Sequence, residues 1–111
     1  MGLYTYHCNL IRVIDGDTVV VEIDLGLRVW TKQTIRLAGI DAPEPRGDSA
    51  AAGKEASAHL TALLSNCGQL KIQTKKSGKY GRWLGHLFRD DENTTVNHMM
   101  VQDGHAVFSK G

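Results

Sequence analysis

Residues 13–37 read VIDGDTVVVEIDLGLRVWTKQTIRL, and the reading of this stretch decides the fold. Thr18–Asp24 is dominated by β-branched residues and reads as a strand. It is bounded by Asp15-Gly16-Asp17 on one side and by a turn near Leu25-Gly26 on the other. Upstream, Tyr4, Tyr6, Cys8 and Leu10 share one face, and the apolar run continues through Ile11, Val13 and Ile14. Downstream, Arg28–Leu37 (Val29, Trp30, Thr31, Thr34, Ile35) is a third strand. Three strands joined by tight turns predict an antiparallel meander.

The following segment changes character. Gly39 to Asp48 holds both prolines, Pro43 and Pro45, and cannot be a helix or a central strand. Ser49–Asn66 is rich in Ala and Leu, with Ala56, Leu60, Leu63 and Leu64 at helical spacing and Gly68 just beyond its end. Gln69–Lys75 and Arg82–Arg89 read as strands four and five around Ser77-Gly78. After a turn at Asp90–Asn93, Asn97–Asp103 reads as a short helix with Gly104 in the C′ position. The order βββ, helix, ββ predicts an α+β, mainly β fold. Its form is a five-stranded, OB-fold-like Greek-key barrel with a helix between strands three and four and a short C-terminal helix.

Composition sets outer limits. A chain of 111 residues with 41% apolar content is expected to form one domain, 1–111, and is neither disordered nor collagen-like. No apolar run approaches the roughly 18–20 residues of a membrane-spanning helix, so no membrane partner is expected. The start shows no basic region of a signal peptide, and Tyr6 stands where a myristoylation site wants Ser or Thr. The expectation is a soluble monomer. Its compartment stays open among cytoplasmic, phage- or plasmid-encoded and mature secreted forms. Cys8 and Cys67 allow at most one disulfide and form no CxxC pair; the plain reading is two small buried hydrophobes. A formal charge of +1 by itself argues against a chain coated in basic residues.

Charge is concentrated in three short segments. Val13–Thr18 sets two carboxylates around a glycine, which alone reads as a hairpin turn. Arg36–Glu44 places Arg36 and Asp41 around an apolar stretch and fixes Glu44 between two prolines. Lys79-Tyr80-Gly81-Arg82 lies in a window, Gln69 to Arg89, that carries Lys71, Lys75, Lys76, Lys79, Arg82 and Arg89 and no acid. Solvated loops explain the last two segments if each is taken alone. Together they suit one chemistry. Asp17, Asp41 and Glu44 are hard oxygen donors of the kind that hold Ca²⁺ or Mg²⁺. Arg36 and Arg82 can grip a phosphate through two parallel hydrogen bonds. A divalent cation, a carboxylate base and two guanidinium groups are what hydrolysis of a phosphodiester requires.

The segments VIDGDT (Val13–Thr18), RLAGIDAPE (Arg36–Glu44) and KYGRWLG (Lys79–Gly85) resemble the three signature blocks of the staphylococcal (micrococcal) nuclease family. Their order, the intervening helix and the late VNHMMVQDGHA stretch agree as well, so the resemblance covers about residues 10–108. It implies a calcium-dependent nuclease that cuts DNA and RNA endonucleolytically, with single strands preferred, and leaves 3′-phosphate ends. By the same resemblance Asp17 and Asp41 would ligate Ca²⁺ through carboxylates and Ala42 through its main-chain carbonyl. Asp15 would support the metal from behind, Glu44 would be the general base, and Arg36 and Arg82 would bind the scissile phosphate. Lys79 and Tyr80 would hold the neighbouring nucleotide. Two departures stand out. The loop after Glu44 is short, and Lys110 stands where a well-known member has a tyrosine lining the nucleotide pocket, so that base stacking on that side and the family's C-terminal helix are expected to be missing.

Rival readings are weaker. None of the seven lysines has an acid two residues before it, as a PD-(D/E)xK nuclease site needs. Asn97-His98 is the nearest candidate for a ββα-metal site, but it sits on the short late helix. The five histidines show no zinc spacing with the cysteines and read as surface or satisfied side chains. A non-catalytic binding module would be expected to lack part of the Asp/Asp/Glu/Arg/Arg set, and an OB-type sugar binder would not explain two placed arginines.

Overall fold

A computed structural model describes residues 4–43, 50–76, 83–90 and 93–108. In chain order the elements are β1 (Tyr4–Asp15), β2 (Thr18–Asp24), β3 (Trp30–Leu37), β4 (Ile40–Asp41) and α1 (Ala50–Ser65). They continue as β5 (Leu70–Lys76), β6 (Trp83–Arg89), α2 (Val96–Gln102) and β7 (Val107–Phe108). Strands β1-β2-β3-β6-β5 close a barrel. Its pairs are antiparallel except β3 with β6, which run parallel. This is the Greek-key barrel expected from the order of elements, with α1 between its third and fourth strands.

One strand closes the ring. β1 pairs with β5 through Tyr4–Cys8 and with β2 from Cys8 onward. Register shifts fall between Leu10 and Arg12 and between Val13 and Asp15. Ile11 and Ile14, the residues inside those shifts, are turned outward to solvent, as bulged residues in a bending strand are. β3 starts at Trp30, two residues later than expected, because Leu27 and Arg28 take φ of 56° and 64° and turn the chain.

Alternation then fills the interior. Val19, Val21 and Ile23 of β2, Ile35 and Leu37 of β3, Ile72 of β5 and Leu87 of β6 are all buried. Each such side chain stabilises by about 1.5–3 kcal/mol. A Cβ at Gly85 would lie 2.8 Å from Ile35 and 3.0 Å from Ile72, so the interior closes over that missing side chain. Ala56, Leu60 and Leu64 of α1 and Val96 and Met100 of α2 complete the core. β4 and β7 form a separate two-residue ribbon, Ile40 opposite Phe108 and Asp41 opposite Val107.

α2 is held by a buried amide. Thr95 caps it, accepting from the His98 N–H at 3.0 Å, and Gly104 follows at φ 81°. Asn97 is buried; its Nδ2 donates to the carbonyls of Ala38 at 2.9 Å and Gly85 at 3.0 Å. Its Oδ1 accepts from the Leu87 N–H at 3.1 Å. Asn97 is therefore spent on backbone, which removes it from the ββα-metal reading. Asn97→Leu leaves these groups without their partner and is expected to cost about 3 kcal/mol. A urea midpoint shift worth less than about 1 kcal/mol would contradict that role.

Cys8 is buried and Cys67 half-buried, both as free thiols. Burial, with Cys67 close by, pushes the Cys8 thiol up to about 12. Among the described residues no helix is long and apolar enough to cross a membrane.

Candidate functional site

The site is built on the turn between β1 and β2. Asp15 pairs with Thr18, leaving Gly16-Asp17 as a two-residue loop. The hairpin reading of Asp-Gly is correct, but the glycine serves a different purpose there. Among the described residues the positive-φ glycines are Gly26, Gly39 and Gly104, so Gly16 does not supply left-handed backbone. A Cβ on Gly16 would lie 2.7 Å from the Cβ of Ala42 and 2.7 Å from that of Ala56. The missing side chain lets helix α1 and the segment after β4 close onto the turn.

That closure surrounds Asp17. Its side chain is 13% exposed. Oδ1 accepts from Thr18 Oγ1 at 3.0 Å and Oδ2 accepts from the Ala42 N–H at 3.0 Å. The Asp17 N–H donates to Asp15 Oδ1 at 3.2 Å, and the Asp17 carbonyl accepts from the Leu37 N–H at 2.7 Å. Burial, and after it a hydrogen bond that protonated Asp17 donates to the neighbouring Asp15 carboxylate, raises the Asp17 pKa above the ordinary carboxylate value. The Ala42 N–H and the Arg36 charge pull the other way without cancelling this.

Arg36 reaches across from β3. Its Nη1 donates to the carbonyls of Leu37 at 3.3 Å and Ile40 at 3.0 Å, which fixes the guanidinium plane. Nη2 lies 3.6 Å from Asp17 Oδ2 and in direct contact with Asp41 Oδ1. Asp41 is half exposed, on the short ribbon with β7. A groove of about 280 Å³ beside it runs between Asp41–Pro43 and Gly104–Val107.

Among the expected site residues, Asp15, Asp17, Arg36, Asp41 and Ala42 converge. Glu44, Lys79, Tyr80 and Arg82 lie outside the described residues, as does Lys110. Among the described residues no three His, Cys, Asp or Glu side chains gather as a metal cluster. The donors that are present are all oxygens: two carboxylates and the main chain of Ala42. Oxygen donors of this kind suit a hard cation and not a soft one.

Two features escaped the sequence reading. Thr18, 5% exposed, orients Asp17 through its hydroxyl, and only the motif DGDT hinted at it. His59 of α1 sits 2.6 Å from Asp103, and its ring stacks at 4.4 Å on His105, which lines the groove. That pairing satisfies His59 as expected, yet nothing in sequence spacing joins residues 59, 103 and 105.

The chain is similar to known proteins over most of its length. It is 33% identical over 102 residues to a thermonuclease of Staphylococcus hyicus, covering 88% of this chain and 56% of that protein. It is 33% identical over 110 residues to a micrococcal nuclease of Shigella flexneri, covering 91% and 57%. It is also 31% identical over 102 residues to the succinoglycan biosynthesis protein ExoI of Rhizobium meliloti (strain 1021), covering 86% and 48%. The chain thus spans about half the length of the curated relatives it matches. Residues 34–110 match the family described as staphylococcal nuclease homologue. With the barrel and the charged turn in place, the chain belongs to the staphylococcal nuclease family.

Proposed function

We propose that this protein is a nuclease: a Ca²⁺-dependent phosphodiesterase that hydrolyses DNA and RNA, endonucleolytically and with single strands preferred. The observation that carries the reading is the convergence of Asp17, Asp41 and Arg36 from three elements onto one turn. Relatives named thermonuclease and micrococcal nuclease support the same class.

The carboxylates of Asp17 and Asp41 and the carbonyl of Ala42 would hold the cation, with Asp15 fixing the Asp17 backbone. When bound, Ca²⁺ supplies positive charge that neutralises the phosphate and makes nearby water a better acid. Arg36 keeps Nη1 on the two carbonyls and turns Nη2 from Asp41 to a phosphate oxygen. Arg82 takes a second oxygen, and Lys79 and Tyr80 hold the adjoining nucleotide. Glu44 removes a proton from the attacking water as its oxygen bonds to phosphorus. The bond to the 5′ oxygen breaks and that oxygen takes up a proton from solvent, leaving a 3′-phosphate and a 5′-hydroxyl.

The test is incubation with single-stranded DNA in Ca²⁺ or in EDTA. Cleavage is expected only with Ca²⁺; its absence from neutral to alkaline pH ends the enzyme reading. A thermal shift provides an independent readout. At a hundredfold excess over Kd, Ca²⁺ should add about 2.7 kcal/mol, which is about 10 °C in Tm for a domain of this size. The pH dependence follows from Asp17. Its folded pKa is raised, so the apo protein gains from a protonated Asp17 at low pH and loses that gain as pH rises through the raised value. The cation needs the ionised form, so the Ca²⁺-induced shift should grow over that window. It should vanish in Asp17→Ala, and a Tm indifferent to Ca²⁺ would refute the metal site.

A further inference from the structure

The barrel has a second end, away from Gly16 and α1. There the inward-facing residues Tyr6, Ile23, Thr31, Gln33, Thr74 and Trp83, together with Leu25 just after β2, line a cavity of about 280 Å³. They come from all five barrel strands. The deeper residues of the same strands, Val21, Ile35 and Ile72, are fully buried and apolar. At the mouth two aromatic rings and three hydrogen-bonding side chains join the aliphatic Ile23 and Leu25. Every one of the described lining side chains is uncharged at neutral pH.

We propose that this mouth takes an unstacked nucleobase of a single-stranded substrate, one that lies beyond the nucleotides at Arg36. The inference rests on the nuclease reading and extends it to a subsite. Three observations carry it. First, the chemistry suits a neutral planar ring with polar edges. Trp83 is 36% exposed and offers a face for stacking. Gln33 Nε2 donates to Thr31 Oγ1 at 2.8 Å. Among the described partners this leaves the Thr31 O–H as a donor and Gln33 Oε1 as an acceptor, as a base edge requires.

Second, the mouth and the charged turn share a strand. Thr31 and Gln33 lie five and three residues before Arg36 on β3, which is about 10–17 Å at the rise of a strand. Trp83 stands beside Ile35 in the parallel pair, next in sequence to Arg82. Third, the sequence that joins two of the lining residues is basic. Between Thr74 and Trp83 in sequence lies the stretch 75–82, which holds Lys75, Lys76, Lys79 and Arg82 and no acid. A single strand carries anionic phosphates, which favour a basic sequence, beside neutral bases, which favour an uncharged mouth.

The test uses the full chain carrying Glu44→Gln, to slow cleavage, and Trp30→Phe, so that Trp83 is the sole tryptophan reporter. A single-stranded hexathymidylate is titrated in Ca²⁺, with Trp83 emission and the anisotropy of a labelled strand both recorded. Binding should quench Trp83, and Gln33→Leu or Trp83→Ala should weaken it about tenfold. Thr31→Val, nearly identical in shape, guards against a misfolded Gln33→Leu and should weaken binding several-fold. If the strand binds and the parent protein cuts it, but Trp83 emission and all three variants are indifferent, the mouth proposal is wrong and the nuclease reading stands. If the strand quenches Trp83 and the variants weaken it, but the parent cuts nothing, the subsite stands and the nuclease reading falls. Quenching by a neutral oligosaccharide and not by the strand overturns the proposal in favour of a sugar site.

Discussion

Glu44→Gln lowers turnover about 10²- to 10⁴-fold while the far-UV circular dichroism and melting curve stay those of the parent. Glutamine matches glutamate in shape and keeps an acceptor oxygen, but it cannot take a proton from water at neutral pH. The position favours a task of this kind. Pro43 and Pro45 fix the backbone on either side, so little chain entropy is lost when the carboxylate is held in place. The segment also follows directly from Ala42, whose N–H is bonded to Asp17. Single-turnover cleavage of a defined single strand in Ca²⁺ gives the comparison. A variant that cuts within twofold of the parent rate would move the general base elsewhere.

Arg36→Lys is expected to cost about 10²- to 10³-fold in kcat/KM, the range for loss of one aligned transition-state donor. The guanidinium does two jobs at once that an ammonium cannot. Nη1 is locked on the carbonyls of Leu37 and Ile40, and Nη2 is thereby aimed at Asp17 and Asp41. Lysine offers a point charge on a flexible stem and loses that division of labour. Arg82→Lys should be severe for the same reason on the other side of the phosphate. Measuring kcat and KM separately for Arg36→Lys distinguishes positioning from binding: kcat should fall most. An unchanged kcat would take the guanidinium out of the transition state.

Most of the barrel was legible because its strands alternate. Thr18–Asp24 is the strand expected, residue for residue, and α1 spans Ala50–Ser65 within the expected Ser49–Asn66. The closing ribbon of β4 and β7 was not legible. Two-residue strands carry no periodicity, and the prolines near Ile40–Asp41 rightly excluded only helix and central strand. The bulges at Ile11 and Ile14 were hidden because an apolar residue turned outward looks the same in sequence as one turned inward. At the site, residue types were readable and their linkage was not. That Arg36 bridges Asp17 and Asp41, or that Gly16 is there for want of space, depends on contacts across the barrel.

The gap at Gly16 has an evolutionary consequence. Ala42, Gly16 and Ala56 come from three separate stretches of chain, yet they share one small volume in which two methyl groups already press on a bare α-carbon. No one of them can grow unless another shrinks, and Gly16 has nothing left to give up. Drift at any of these positions is therefore constrained jointly. The location of Asp17 is inherited through the sizes of residues that carry no charge and touch no substrate.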